Sequence, residues 1–357
     1  MRRFLCPACG NELHFGNTQC VQCSALVGYL PSGDYLFELS SQNGTAGQGE
    51  GAPRPCANRA VIHCNWLCES DGDSLCFSCR LTTKIPDISN ETNRIRWGRL
   101  ERAKRRLVYS LLKLRLPLDR PASGAEQALR FELLGDEIDR RGKLERVMTG
   151  HAQGRITINI AEADDAIREK TRTDMGEPYR TLIGHFRHEV GHYYWDKLVA
   201  GKPVEAACRA CFGDERRSYS EALETYYRDG PAPDWPARYV SAYASAHPWE
   251  DFAETWSHYL HMVAGLEAAY AYGLNPQPMQ ADQPRRVQFE NPYHVENGRD
   301  LIDHWIPLTV AMNAMNRAVG NHDFYPFALT PAILDKLVFI HDLIAANEAP
   351  QARSPSS

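Results

Sequence analysis

The chain has 357 residues, a formal net charge of -5, 43% hydrophobic residues and 24% charged residues. These values are ordinary for a globular protein and leave room for two or three domains. The mild negative charge excludes bulk attraction to nucleic acid, and the lack of any apolar run of about 18 residues excludes a membrane-spanning helix.

The N-terminus, Met1-Arg2-Arg3-Phe4-Leu5-Cys6-Pro7, has no apolar run after its charges and does not read as a secretory signal. Nine of the eleven cysteines precede residue 80. Cys6, Cys9, Cys20 and Cys23 are spaced C-x2-C-x10-C-x2-C. Each pair can form a knuckle offering two thiolates from a tight turn, and Pro7 and Gly10 are turn residues where the first knuckle needs them. Two knuckles complete a closed, tetrahedral structural zinc site; a redox dithiol would need only one pair.

A second cluster holds Cys56, Cys64, Cys68, Cys76 and Cys79, five thiols for four positions, with His63 as a sixth candidate. Cys76-Phe77-Ser78-Cys79 is the clearest knuckle. Cys56 and Cys64 are the expected partners, which leaves Cys68 over. Paired thiols without a secretory signal favour zinc in a reducing compartment, here the cytoplasm. Residues 1–85 therefore read as a double zinc-ribbon region. Within it, residues 41–55 are rich in Gly, Ser, Gln and Pro and are expected to be a mobile loop.

Residues 86–120 read as a helical connector. Leu100, Leu107, Leu111 and Leu114 give an amphipathic helix over 93–116, ended by Pro117. Between Arg94 and Arg115 there are nine Lys or Arg and one acidic residue, Glu101. Such a face can hold phosphate, although the usual explanation is a solvated face or one packed on acidic surface.

Residues 121–348 form the largest region. Arg155-Ile156-Thr157-Ile158-Asn159-Ile160 alternates polar and apolar, a strand signal. From Pro178 onward the chain reads mostly helical, with proline-rich breaks at 231–236 and 276–284. A tail at 349–357 is expected to be disordered. Cys208 and Cys211 have no second pair nearby and read as free thiols or small buried residues.

The helix predicted over 177–201 carries His188-Glu189-Val190-Gly191-His192, an H-E-x-x-H pattern. Residues four apart lie on one helix face, so both imidazoles can reach one metal ion. Glu189 can then reach a water whose pKa zinc lowers to about 7. Leu182, Phe186, Val190 and Tyr193 supply an apolar stripe. Gly184 and Gly191 each cost about 1 kcal/mol relative to alanine, which points to close packing or access near the metal.

A catalytic zinc usually takes a third protein ligand. The best segment downstream is His247-Pro248-Trp249-Glu250-Asp251-Phe252-Ala253-Glu254. Pro248 starts a helix, and Glu250 and Glu254 share one face. One can bind zinc while the other accepts a hydrogen bond from a ligating imidazole. Glu221 and Glu224 compete, but they stand three apart and no proline precedes them.

HEVGH followed by E-D-F-A-E resembles the glutamate zincins, including the lethal-factor type. That resemblance implies Glu250 as zinc ligand, Glu254 behind it, and Tyr243, seven residues before Glu250, facing the reaction centre. The whole chain is closer still to a bacterial family of zinc-binding metallopeptidases with an N-terminal zinc ribbon. This likeness rests on Cys6-Pro7-Ala8-Cys9-Gly10, Cys64-Asn65-Trp66, Phe186-Arg187-His188-Glu189-Val190-Gly191-His192-Tyr193, Phe212-Gly213-Asp214-Glu215, His247 to Glu254, and Tyr325-Pro326-Phe327. Cys68, Cys208 and Cys211 lie outside that pattern.

The expected fold is α+β: an N-terminal zinc ribbon followed by a mostly helical zincin-like metallopeptidase domain with a small β-sheet. The expected function is zinc-dependent hydrolysis of peptide bonds in a peptide or protein substrate. His188, His192 and Glu250 hold one catalytic zinc, and two structural zincs sit in the ribbons. Glu189 is the general base, Tyr243 stabilises the oxyanion, and the strand at 156–160 offers a sheet edge for an extended substrate. A nucleic-acid-associated zinc-ribbon protease or regulator is one alternative. A protein-interaction module with a vestigial zincin site is another, and the intact Glu189 argues against it.

Overall fold

The structure is a computed structural model and describes residues 2–39, 52–119, 127–138, 142–174, 181–276 and 291–347. The chain divides into two compact units. The first comprises Met1–Tyr109, Asp119–Met175 and Arg180–Phe186; the second comprises Ser110–Leu118, Gly176–Tyr179 and Arg187–Ser357.

The first unit begins with two knuckles built alike. β1 (Phe4–Leu5) and β2 (Glu12–Leu13) pair antiparallel around the Cys6 turn. Gly10 closes that turn with φ +72 and donates its N–H to Cys6 O at 2.9 Å. Ser24 does the same after Cys20, with φ 62 and a bond of 3.0 Å. This left-handed conformation is easy for glycine and uncommon for serine. β3 (Leu26–Leu30) and β4 (Tyr35–Leu39) follow as a hairpin.

The second cysteine cluster is carried by β5 (Arg54–Pro55), α1 (Arg59–Ile62), β6 (Leu67–Cys68) and α2 (Phe77–Arg80). β5 corrects the expectation of a loop over 41–55, because Arg54 and Pro55 pair with Cys68 and Leu67. Residues 40–51 lie outside the described residues. Composition identified the loop, but two residues of strand at its end carry no period to read.

The two cysteine regions share one aromatic core. Tyr29 packs against Phe15 at 4.9 Å and against Trp66 at 5.1 Å, ring centroid to centroid. Tyr29 N donates to Asn65 O at 2.6 Å, and Asn65 Nδ2 donates to Phe15 O. Cys64-Asn65-Trp66 thus ties one cysteine region to the other.

β7 (Thr82–Lys84), α3 (Glu91–Lys113, up to Tyr109), β8 (Arg130–Leu134), β9 (Glu137–Ile138), β10 (Leu144–Glu145), β11 (Gly150–Ala152), β12 (Arg155–Asn159) and α4 (Asp165–Asp174) complete the first unit. Four strands form a sheet in the order β11-β12-β8-β7. β12 is parallel to β8 and antiparallel to β11. The strand expected to be a sheet edge is therefore an interior strand, and β11 and β7 are the edges among the described residues. Alternation reported correctly that Ile156 and Ile158 are buried. It carries no information about pairing in the plane of the sheet.

Leu100, Leu107 and Leu111 of α3 are buried, and part of its positive charge is matched within the unit. Arg96 Nε donates to Asp164 Oδ2 at 3.0 Å, and Arg99 Nη1 donates to Ala163 O at 3.1 Å. Lys104 and Glu101 pair at 2.9 Å with both side chains fully buried. The helix ends at Lys113, and Arg115 turns with φ 50 before Pro117.

The helices of the second unit are α5 (Leu182–Leu198, from Arg187 onward), α6 (Glu205–Phe212), α7 (Tyr219–Asp229), α8 (Trp235–Arg238), α9 (Pro248–Ala271), α10 (Gly298–Ala318) and α11 (Pro331–Ala346). α9 is the central element, buried along most of its length against α6, α10, α11 and a 3-10 turn at Tyr243–Ser245. α8 is a short helix that begins at the end of the proline-rich stretch 231–236, with Pro236 in its first turn, where a proline's missing N–H costs no helical hydrogen bond. No helix among the described residues is long and apolar enough to cross a membrane.

Candidate active site

α5 starts later than the sequence suggested. Its first residue is Leu182, and Thr181 Oγ1 accepts the N–H of Gly184 at 3.0 Å, an N-terminal cap. Residues 175–180 lie outside the described residues. The sequence reading begins the helix at 177, and here the Thr181 cap sets the boundary at Leu182. From that start, His188 and His192 fall one turn apart on one face, with their Nε2 atoms 3.2 Å from each other. Glu189 is 5% exposed.

α9 begins at Pro248, and His247 Nδ1 caps it by accepting the Trp249 N–H at 3.1 Å. Its first turn presents two carboxylates in different directions. Asp251 points away from the histidines to a buried ion pair with Lys336 at 2.6 Å; Lys336 also donates to Arg238 O at 2.7 Å. Glu250, 1% exposed, points at the histidines. Its Oε2 lies 3.0 Å from His188 Nε2 and 3.5 Å from His192 Nε2. One turn along, Glu254 Oε1 meets His188 Nδ1 at 2.6 Å, and Ser241 Oγ donates to Glu254 Oε2 at 2.6 Å.

Three potential ligand atoms thus form a triangle with sides of 3.0, 3.2 and 3.5 Å. A tetrahedral zinc with bonds of about 2.0–2.1 Å would space its ligand atoms about 3.3 Å apart. Glu250 Oε2 is buried and has no hydrogen-bond partner among the described residues, although it faces both rings. A buried carboxylate oxygen left in that state is costly unless a cation completes it. The residues fit the metal.

Both carboxylates of α9 that face the histidines are held ionised. Burial alone would raise the Glu250 carboxyl, but the imidazoles of His192 and His188 hold it well below the ordinary carboxylate range. Burial also opposes ionisation of Glu254, and the hydrogen bond to His188 brings it down to about 2.

Two tyrosines flank Glu250. Tyr219, the first residue of α7, donates its hydroxyl to Glu250 Oε1 at 2.6 Å and is hydrogen-bonded to Tyr243. The Tyr243 ring packs on His188 at 6.0 Å. Burial first, and the Glu250 charge second, push both phenols well above their usual range, so both stay protonated at neutral pH. Sequence reasoning missed Tyr219. The only local signal is Ser218 capping α7, and that marks a helix start without marking a site. Trp249 packs on His192 with the rings tilted, 3.9 Å between centroids. Glu221 and Glu224, the competing carboxylates, are exposed and outside this convergence.

The sequence blocks around the site have structural roles. Gly213 ends α6 with φ +102 beside Pro248, and Glu215 accepts from Arg209 Nε at 3.0 Å. Tyr325 is hydrogen-bonded through its hydroxyl to His258 Nδ1 at 2.7 Å, and Phe327 packs edge-on against the same imidazole.

The cysteines gather into two fours. Cys6, Cys9, Cys20 and Cys23 form one group; Cys56, Cys64, Cys76 and Cys79 form the other; in each group the sulfurs lie within 4.8 Å of one another. Sulfurs of Cys6 and Cys23, Cys9 and Cys20, Cys64 and Cys76, and Cys64 and Cys79 are each 3.7 Å apart. That is far beyond a disulfide bond of about 2.05 Å. It equals the edge of a tetrahedron with Zn–S bonds of about 2.3 Å, about 3.8 Å. Cys68 stays outside the second group but is hydrogen-bonded to Cys56, and His63 is exposed. Cys208 and Cys211 sit on α6, where burial pushes their thiols up to about 12 and about 11.

Residues 93–343 match the family described as "Putative zinc-binding metallo-peptidase", and residues 3–90 match a zinc-ribbon domain. Uncharacterized proteins of Mycobacterium tuberculosis and Mycobacterium bovis are 39% identical over 346 residues, which cover 96% of this chain and 95% of each relative. No solved structure matches. With the metal-binding geometry and the family match both extending over the helical region, the chain belongs to this zinc-binding metallo-peptidase family and carries a zinc-ribbon domain at its N-terminal end.

Proposed function

We propose that the protein is a zinc metalloendopeptidase in which His188, His192 and Glu250 hold the catalytic zinc. The convergence of their three ligand atoms beside a buried Glu189 carries this reading. Zinc held there supplies Lewis acidity, which polarises a substrate carbonyl and lowers the pKa of water to about 7. Glu189 takes the proton of the attacking water and passes it to the leaving amine. Tyr243, protonated at neutral pH, donates to the developing oxyanion. Glu254 fixes the tautomer and orientation of His188, and Ser241 fixes Glu254. Tyr219 occupies Glu250 Oε1 and leaves Oε2 toward the histidines.

Each cysteine group holds one structural zinc, which makes three per chain. Eleven thiols without a disulfide suit the reducing cytoplasm. The matched charges on α3 weigh against a nucleic-acid partner and leave a peptide or protein as substrate. Proteome-wide N-terminus profiling of cells with the wild type against a Glu189→Gln strain tests the activity. New N-termini present only with the wild type are expected; identical profiles would sink the peptidase reading.

A further inference from the structure

A cleft of ≈ 550 Å³ opens in the second unit; no candidate metal ligand lines it, but its Tyr226 leads to His188 through Tyr243. Arg217, Glu221, Thr225 and Tyr226 line it from the α7 side, and Ser245 and Ala246 from the 3-10 turn. Tyr226 packs on Tyr243 at 5.7 Å, and Tyr243 packs on His188 at 6.0 Å. At about 3.3 Å per extended residue, these two steps put the cleft two to four residues from a bond held at the metal site. Its volume falls within the range of small-ligand sites, roughly 300–1,000 Å³, and suits a short peptide segment.

The lining is polar or small and includes no large aliphatic side chain, so it offers little to an apolar residue. Its charges are not equivalent. Nearby, Arg209, Arg216 and Arg228 each donate to a carboxylate, on Glu215, Asp214 and Asp229, at 2.7 to 3.0 Å. The Arg217 guanidinium makes no hydrogen bond or ion pair among the described residues. Glu221 is also unpaired, but it stands in the first turn of α7, where the helix dipole complements a negative charge. Arg217 has no such local complement. We infer that the cleft is a substrate subsite that selects a peptide segment bearing a carboxylate, held by Arg217, two to four residues from the scissile bond. The inference rests on the peptidase reading of the same site and names its substrate class.

Binding can be read without hydrolysis. Full-length, zinc-loaded protein carrying Glu189→Gln is titrated with labelled peptides that differ only in Glu, Gln or Lys at one position. The Glu peptide should bind roughly tenfold more tightly than the Gln peptide, the lower end for a charge-assisted hydrogen bond. Adding Arg217→Gln should remove the preference, Arg217→Glu should turn it toward Lys, and Glu221→Gln should strengthen it. Ala222→Trp, which fills the cleft, should weaken all three peptides. Melting temperature and zinc content are measured for each variant, and Arg217→Gln decides should Arg217→Glu be misfolded. Equal binding of the three peptides, a Lys preference, a preference indifferent to Arg217, or no binding at millimolar peptide overturns the inference. Arg217-dependent binding without any hydrolysis by the wild type would sink the peptidase reading alone.

Discussion

Gly191 of α5 lies directly against Ala253 of α9: a Cβ on Gly191 would stand 2.9 Å from Ala253 Cα and 3.2 Å from its carbonyl oxygen. These two small residues let the helix carrying His188 and His192 approach the helix carrying Glu250. A glycine inside a helix costs stability, and this close approach is the reason for it.

Gly191→Ala sets two effects against each other. Alanine gains about 1 kcal/mol of helix propensity. Overpacking typically costs about 1–3 kcal/mol, and the clashing atoms are backbone, which cannot rotate away. Packing should win. We expect a lower melting temperature and weaker zinc retention, measured by scanning calorimetry and by zinc content after dialysis against a mild chelator. A variant as stable as the wild type, with its zinc retained, would mean the helices separate without consequence.

Glu189→Gln keeps the volume of the side chain and removes its ability to take a proton at neutral pH. Hydrolysis should be abolished while zinc remains bound at the wild-type level. Metal analysis and peptide turnover on one preparation decide this. Loss of zinc together with activity would make Glu189 structural and the mechanism wrong as written.

How far the sequence reveals this protein depends on how local each signal is. Two cysteine knuckles, and two histidines four apart on a helix, are short-range patterns whose geometry follows from the turn or helix itself. Glu250 needed one more step, the proline that starts α9 and sets which face its first turn presents. Tyr219 was beyond reach because it meets Glu250 across 31 residues from a helix start that resembles any other. The same limit applies to β12, whose alternation describes its faces and says nothing of its neighbours. The boundary of α5 differs for another reason: a proline is compatible with a first turn, but it is the Thr181 side chain, bonded to the Gly184 N–H, that starts this helix.

Zinc content gives an independent check on the cysteine groups. Protein purified without added metal should carry three zinc ions per chain. Structural sites contribute about 10–16 kcal/mol of apparent binding energy in small zinc peptides, so strong chelation should melt the N-terminal region. Exchange with a mild chelator should remove one ion first, the one with three protein ligands. A stoichiometry near one would sink the double-ribbon reading.

The four side chains around His188 and His192 should fail in three ways. Glu250→Ala removes a ligand atom and leaves two imidazoles, so the metal should be released. Glu254→Ala removes the partner of His188 Nδ1, a loss that typically costs roughly 10–100-fold in affinity or activity; zinc should be weakened and not lost. Tyr219→Phe leaves Glu250 Oε1 without its donor and should act on zinc affinity in the same direction, by roughly tenfold. Tyr243→Phe should leave zinc content unchanged and lower the rate by roughly 10²–10³, as for one oxyanion donor. Zinc affinity and kcat/KM measured for all four at one pH separate these outcomes. Should Glu254→Ala empty the site while Glu250→Ala leaves it filled, the two carboxylates exchange roles. Tyr219, whose hydroxyl donates to Glu250, would then support a residue outside the metal's reach, and Tyr219→Phe should leave zinc affinity untouched.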